Sequence, residues 1–313
     1  MRLHQIAICS LILLGSVAAQ NSIAGSVRQL SDPKSKVDLK PTGKGYGVVD
    51  LLEQSKSTGH ASSGKAASTN GIIYHGGPVM LGTTNVYYIW YGNWAGNTAT
   101  SILPTLASGM GGSPYFNINT TYTNGSGTKV SNAVHLAGSK NDSYSQGTAL
   151  SDAQVQSVVS SAIAGGLPKD TNAVYFVLTS ADVNATSGFC TNYCGWHTHG
   201  LIGGSDIKYA FVGNPDRCPS SCAAQTTSPN GNAGADGMAS IISHELEEAV
   251  TDPQLNAWYD RRGQENADKC AWTFGTEYNA AGGGKANVKL GGLDFLIQRN
   301  WVNAAGGYCS MTY

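Results

Sequence analysis

Residues 240–253, S-I-I-S-H-E-L-E-E-A-V-T-D-P, constrain this chain more than any other stretch. At about 100° per residue, Met238, Ile241, Ile242, Leu246, Ala249 and Val250 gather on one apolar arc, so a helix packed against a core is expected. His244 and Glu248 stand side by side at the border of that arc, one turn apart. This i, i+4 spacing lets two side chains reach one metal ion. Glu245 falls between that pair and the arc, where a partly desolvated carboxylate suits a general base. Glu247 is expected to point the opposite way. The zinc-peptidase pattern H-E-x-x-H appears here as H-E-L-E-E, with glutamate in place of the second histidine. A solvated acidic surface helix is the competing expectation, but only 12% of the residues are charged and the acids concentrate at this point.

The flanking sequence sets the compartment. Residues 1–19 have the make-up of a secretory signal, with Arg2, an apolar run over 6–14, and Val17-Ala18-Ala19 before the expected cut. No later apolar run is long enough to span a membrane. Cys9 leaves with the signal. Cys190, Cys194, Cys218, Cys222, Cys270 and Cys309 remain, and outside the cell they predict three disulfides among fifteen connectivities. The paired C-x-x-x-C spacings offer a zinc cluster as the alternative. Sequons at Asn119, Asn124, Asn141 and Asn184 predict a glycoprotein with those segments at the surface. A net charge of -1 gives no electrostatic case for nucleic acid or an anionic membrane.

Residues 20–70 are rich in Ser, Gly and Lys, with Tyr46 the only Phe, Tyr or Trp, and are expected to be a low-complexity segment; a propeptide covering the site is the functional alternative. An ordered domain is expected over 71–313. Its runs N-V-Y-Y-I-W-Y (85–91), A-V-Y-F-V-L-T (173–179) and I-K-Y-A-F-V (207–212) predict buried strands. Residues 113–150 read as hairpins and loops, with a strand over 129–136 that makes His135 a face residue. Ser151 caps a helix whose Val155, Val158, Val159, Ala162 and Ile163 form a core stripe ending at Gly165-Gly166. Strands alternating with helices indicate a mixed α/β sheet.

Two further groups point at the helix. The segment 188–200, G-F-C-T-N-Y-C-G-W-H-T-H-G, is expected to be a disulfide-tied loop. Its two histidines are taken to project differently, so at most one is a ligand, and His197 is preferred because Cys194 restrains it. His75, in a turn, is expected to be structural. About twenty residues after the helix, Glu265 and Asp268 restore carboxylates; Glu265 is the expected third ligand, on a following helix, and Asp268 its alternative or a partner to His244.

Several stretches in order carry a family resemblance: G-G-P-V-M, Y-I-W-Y-G-N-W, V-L-T-S-A-D-V, G-F-C-T-N-Y-C-G-W-H, F-V-G-N-P-D-R-C-P-S-S-C and S-P-N-G-N-A-G-A-D-G-M. Together they resemble the secreted phosphate-induced, or EXORDIUM-like, proteins over roughly residues 71 to 309. The resemblance implies an extracellular or cell-wall protein linked to growth and nutrient responses. The H-E-L-E-E helix with T-D-P and E-N-A-D-K-C implies a non-plant branch that keeps a zincin-like site, on a metallopeptidase-like α/β domain.

The function expected from these features is a secreted zinc-dependent hydrolase, peptidase-like, acting on a peptide or cell-wall substrate. One zinc ion would be held by His244, Glu248 and Glu265, with Asp268 in reserve; Glu245 is the base, and His197 polarises the carbonyl or completes the metal shell. Two carboxylates and one histidine also admit manganese or calcium. A non-catalytic cell-wall or surface-binding protein is the alternative, its six Trp and fifteen Tyr suiting carbohydrate contact. A glycoside hydrolase using Glu245 and Asp268 is the third expectation.

Overall fold

Apolar and aromatic runs buried on both sides form the middle of the fold in a computed structural model, which describes residues 40–44 and 71–313. The expected signal and most of the segment 20–70 lie outside the described residues. Five strands make the main sheet: β1 (Thr84–Tyr91), β2 (Val134–Asp142), β3 (Ala173–Thr179), β4 (Gly195–Ile202) and β5 (Ser205–Val212). Their spatial order is β2-β1-β3-β5-β4. Neighbours run parallel except β4, which turns back antiparallel on β5 and forms an edge of the sheet. Every residue of β3 is buried, as a central strand covered on both faces requires. The sheet is mixed, as expected.

Two expectations change here. Of the hairpins expected over 113–150, the T-N-G-S-G turn forms, with Thr123 bridged antiparallel to Lys129, but the expected strand over 129–136 does not: β2 starts at Val134 and pairs in parallel with β1. Parallel pairing needs a long crossover, and helix α1 (Ala99–Met110) supplies it. Ile102, Leu103, Leu106, Ala107 and Met110 are its buried stripe, which an internal Pro104 obscures in the sequence. The second change concerns the segment 188–200, whose end is strand β4 and not loop, so His197 sits on the sheet.

Helix α2 (Asp152–Ala164) begins as expected: Ser151 Oγ accepts from Gln154 N at 3.3 Å and Gln154 Oε1 accepts from Ser151 N at 2.8 Å. Helix α3 (Ala233–Thr251) starts where Asn232 Oδ1 accepts from Ala235 N at 3.0 Å and caps it. The two helices cover opposite faces of β4. A Cβ on Gly195 would meet Ile241 Cγ2 of α3, whereas one on Gly200 would meet Gln156 Nε2 of α2, and residues five apart on a strand face opposite ways.

All of the nineteen residues of α3 except Ala233 and Gly237 are buried. Glu247 therefore does not face solvent: Asn300 Nδ2 donates to its Oε2, inside the protein. The aromatic content is likewise mostly core. Trp90, Trp94, Trp196 and Trp272 are buried and Trp258 and Trp301 partly so, which removes the tryptophans as an exposed carbohydrate platform. Asn119 is also buried, its Nδ2 donating to Phe116 O at 3.1 Å, so this sequon is not at the surface.

All six cysteines are in disulfides, Cys190–Cys218, Cys194–Cys222 and Cys270–Cys309, which excludes the zinc cluster. The first two clamp the lead-in to β4 onto the turn after β5. Among the described residues no helix is long and apolar enough to cross a membrane.

The close approach of α3 to β4 depends on Gly195, whose added Cβ would come 2.5 Å from Ile241 Cγ2 and 2.9 Å from Phe211 O. Gly195→Ala is expected to destabilise by about 1–3 kcal/mol in urea unfolding, through overpacking. Gly200→Ala meets only the end of a flexible glutamine and is expected to stay within about 0.5 kcal/mol of wild type. Equal costs at the two positions would refute this account of the packing.

Candidate metal centre

Three parts of the chain deliver side chains to one buried place. Helix α3 presents His244, Glu245 and Glu248 on successive positions of its sheet-facing side. Strand β4 brings His197 from above. The loop after α3 returns Glu265 and Asp268. That loop is shaped by carboxylates acting as acceptors: Asp252 Oδ1 takes Asn256 N and Ala257 N, each at 2.6 Å, and Asp260 Oδ1 takes Arg262 N at 2.7 Å and Gln264 N at 3.0 Å. Glu265 thus sits on a loop and not on a second helix, ahead of a single 3-10 turn at Asp268–Cys270 that Cys270–Cys309 ties down.

The six side chains singled out in the sequence come together here, none more than 4% exposed. His197 Nε2 lies 3.2 Å from each oxygen of Glu265 and 3.7 Å from Glu248 Oε2. His244 Nε2 lies 3.0 Å from Glu248 Oε1 and 3.6 Å from Asp268 Oδ1. Asp268 N donates to Glu248 Oε1 at 3.0 Å and Glu265 N to Asp268 Oδ2 at 3.2 Å, so the carboxylates are oriented by backbone. Two sets of donor atoms lie within 4.8 Å of one another, His197/Glu248/Glu265 and His244/Glu248/Asp268. The ligand set expected from the sequence, His244, Glu248 and Glu265, is divided between them, and Glu248 belongs to both. Donors bound at about 2.1 Å around a tetrahedral ion stand about 3.4 Å apart. The spacings of 3.2 and 3.7 Å in the first set, and of 3.0 and 3.6 Å in the second, bracket that value.

Burial controls the protonation of the cluster. It pushes the His197 pKa down to about 3, with the charges of His244 and His199 adding to the effect, so the imidazole is neutral and its lone pair is available. Burial acts the same way on His244, but Glu248 and Asp268 outweigh it and hold that ring's pKa well above the usual value. Glu248 is pushed up to about 7 by burial and by Asp268, against the pull of His244. Glu245 and Glu265 are raised well above the carboxylate range, again by burial first. Four buried carboxylates facing two imidazoles are short of positive charge. Glu245 Oε2, Glu248 Oε2 and Nδ1 of both histidines have no hydrogen-bond partner. A divalent cation among the Nε2 atoms and carboxylates would satisfy Glu248 Oε2, which the protein's own groups do not.

Among the described residues the other histidines lie outside the cluster. His75 stacks on Tyr259 with ring centroids 3.6 Å apart and serves to join the chain's two short paired strands, Ile73–Tyr74 and Trp258–Tyr259. His135 is exposed on β2. Spacing alone does not exclude His199, contrary to the expectation, because residues i and i+2 of a strand share a face. What withdraws it is Asp206, whose Oδ1 lies 2.5 Å from His199 Nδ1.

Comparison with known proteins follows the same boundaries. The family described as phosphate-induced protein 1 conserved region matches residues 72–290. The chain is 34% identical over 280 residues to Protein EXORDIUM-like 3 of Arabidopsis thaliana, covering 76% of this chain and 82% of that protein. It is 32% identical over 294 residues to Protein EXORDIUM-like 5 of the same plant, covering 79% and 80%, and 28% identical over 254 residues to Protein EXORDIUM, covering 70% and 77%. No solved structure matches the chain.

Asp206 provides a pH-dependent check on the arrangement of the two histidines. Burial would raise its pKa, but hydrogen bonds with His199, Gln254 and Lys208 outweigh that and hold it at about 2. Its folded value lies below the unfolded value of about 3.9, so its stabilisation is full above about pH 4 and is lost as pH falls through about 2. Asp206→Asn is therefore expected to be less stable than wild type at neutral pH, with the gap closing between about pH 4 and pH 2 in urea titrations. A gap that does not change with pH would sink this assignment.

Proposed function

The chain belongs to the phosphate-induced protein 1 family, and from that membership and the buried cluster we propose an extracellular, EXORDIUM-like protein built around one bound divalent cation. Three disulfides suit an oxidising compartment. The observation that carries the cation is Glu248. Its Oε1 is engaged by His244 and by Asp268 N, while its fully buried Oε2 has no hydrogen-bond partner and faces His197 Nε2 at 3.7 Å. A buried carboxylate left in that state costs several kcal/mol, which a coordinated cation relieves. His197, Glu248 and Glu265 would hold the ion on one side, with His244 and Asp268 on the other. Zinc accepts this mixture of imidazole and carboxylate, and the carboxylate excess also admits manganese or calcium. Complete burial favours a closed, structural role, since structural metal sites fill every position with protein ligands.

A second reading, a peptidase-like zincin hydrolase, has one observation in its favour. Glu245 lies beside the ligands, buried, with Oε2 unpartnered. A bound cation would supply Lewis acidity to a carbonyl or to water. Glu245 would then accept a proton at Oε2, and His197, where it is not a ligand, would orient the carbonyl oxygen. A glycosidase built on Glu245 and Asp268 is less favoured, because both are closed off from solvent and a sugar must fit between them.

Metal analysis of the purified full chain is expected to find about one equivalent of divalent cation. Adding that cation should raise the melting temperature of wild type, because binding to the native state stabilises it. Glu248→Gln, common to both donor sets, is expected to lose the metal and that rise; Glu245→Gln should keep both. Wild type without stoichiometric metal would end the proposal. The hydrolase reading survives only if metal-loaded wild type cleaves members of a peptide library and metal-loaded Glu245→Gln does not.

A further inference from the structure

Residues 40–44, K-P-T-G-K, are placed in a groove directly over His197. One wall is the free edge of β4 and the other is the segment 255–263. His197 N donates to Gly43 O at 2.9 Å, so one outward-facing backbone group of the edge strand is taken by a segment that bends at residues 43–44. Pro41 and Gly43 are buried in it. Gly43 has φ +70°, and a Cβ there would come 2.0 Å from His197 O and 3.3 Å from Leu255 Cδ2. Only glycine fits that position. On the far wall, Gly263 at φ +76° leaves space for the backbone of Lys40 and Pro41, since its Cβ would stand 2.9 Å from Lys40 O and 3.2 Å from Pro41 N.

Beyond the glycine the groove ends in a site for a cation. Lys44 Nζ lies 2.5 Å from Asp152 Oδ2, and 5.4 and 5.8 Å from the ring centroids of Tyr193 and Trp196. Both rings are buried side chains held in place by the core, Trp196 stacking on Phe211, so the subsite is fixed by the core. A carboxylate with two aromatic rings recognises an ammonium group, and a steric stop at the preceding residue recognises glycine. Backbone pairing, a size filter and a charge filter together form a peptide-recognition surface.

We propose that this groove is a binding cleft for a short basic peptide of the glycine-lysine type that bends at the glycine, and that residues 40–44 occupy it as the chain's own competing ligand. Tethering gives the resident segment an effective concentration in the millimolar range, enough to fill a cleft of modest affinity. The cleft rests on the proposed function only for what the peptide would be presented to, the cluster beneath His197; peptide binding itself does not require metal or hydrolysis.

The test uses the full chain carrying Gly43→Ala and Lys44→Glu, which removes the resident ligand by clash and by charge. The probe is a fluorescent K-P-T-G-K peptide with blocked ends. The variant is expected to bind it at least about tenfold more tightly than wild type, where occupancy by the resident segment reduces the apparent affinity. Hydrogen exchange at the His197 amide should quicken in the variant and slow again when peptide is added. Adding Asp152→Asn should weaken binding of K-P-T-G-K but not of K-P-T-G-A. If the double variant does not fold, Lys44→Ala alone carries the same competition measurement with a smaller shift. Failure of the folded variant to bind the peptide, equal affinity in variant and wild type, or indifference of the Lys preference to Asp152→Asn would each overturn the cleft. Metal content is read on the same samples: metal retained with no peptide bound refutes the cleft alone, and peptide bound without metal refutes the cation alone.

Discussion

A helix that carries ionisable side chains and is buried on every side is the constraint to which the rest of the structure answers. Helix α3 packs its apolar residues against the sheet and α1, yet its charged positions are equally far from water. Each buried charge costs several kcal/mol unless it is neutralised or hydrogen-bonded. Around the helix the protein supplies two different solutions. On the side of Glu247 it builds an amide lattice that satisfies one carboxylate oxygen: Asn300 donates to Glu247 Oε2, Asn266 donates to Glu247 O at 3.1 Å and to Asn119 Oδ1 at 3.4 Å, and Glu247 Oε1 has no hydrogen-bond partner. Burial still raises the Glu247 pKa well above the carboxylate range, against the pull of Asn119 and Asn300. On the side of His244 it gathers acids and imidazoles whose donor atoms point at one another.

The second arrangement fixes the surrounding architecture. His197 reaches the cluster because β4 is folded back antiparallel at the sheet edge and clamped by Cys190–Cys218 and Cys194–Cys222. The return loop reaches it because Asp252 and Asp260 give their oxygens to backbone N–H groups, which turns the chain, and Cys270–Cys309 holds its far end. An edge strand with its outer ladder groups exposed is a liability in most proteins. Here residues 40–44 cover part of that edge above the cluster, so protection of the strand and closure of the site are one contact.

Family membership and three disulfides point the same way, towards an extracellular scaffold. Glu245 keeps a chemical possibility within that scaffold, because its unpartnered oxygen is adjacent to the ligands and contributes nothing to either donor set.

The core strands, the capped helix α2 and the helix that bears H-E-L-E-E are legible in the amino-acid order. Those features are local: hydrophobic period and a Ser–Gln capping box act within a few residues. That order also picked out His197, Glu265 and Asp268, because acids and histidines are scarce in a chain of 12% charged residues. The rest comes from contacts between remote parts of the chain. The parallel partner of β1, the burial of Glu247 and Asn119, and the division of the ligands into two sets sharing Glu248 all depend on residues distant in sequence. Periodicity tells which face of an element is apolar, but not what covers the other face. In this protein every face of the central helix is covered.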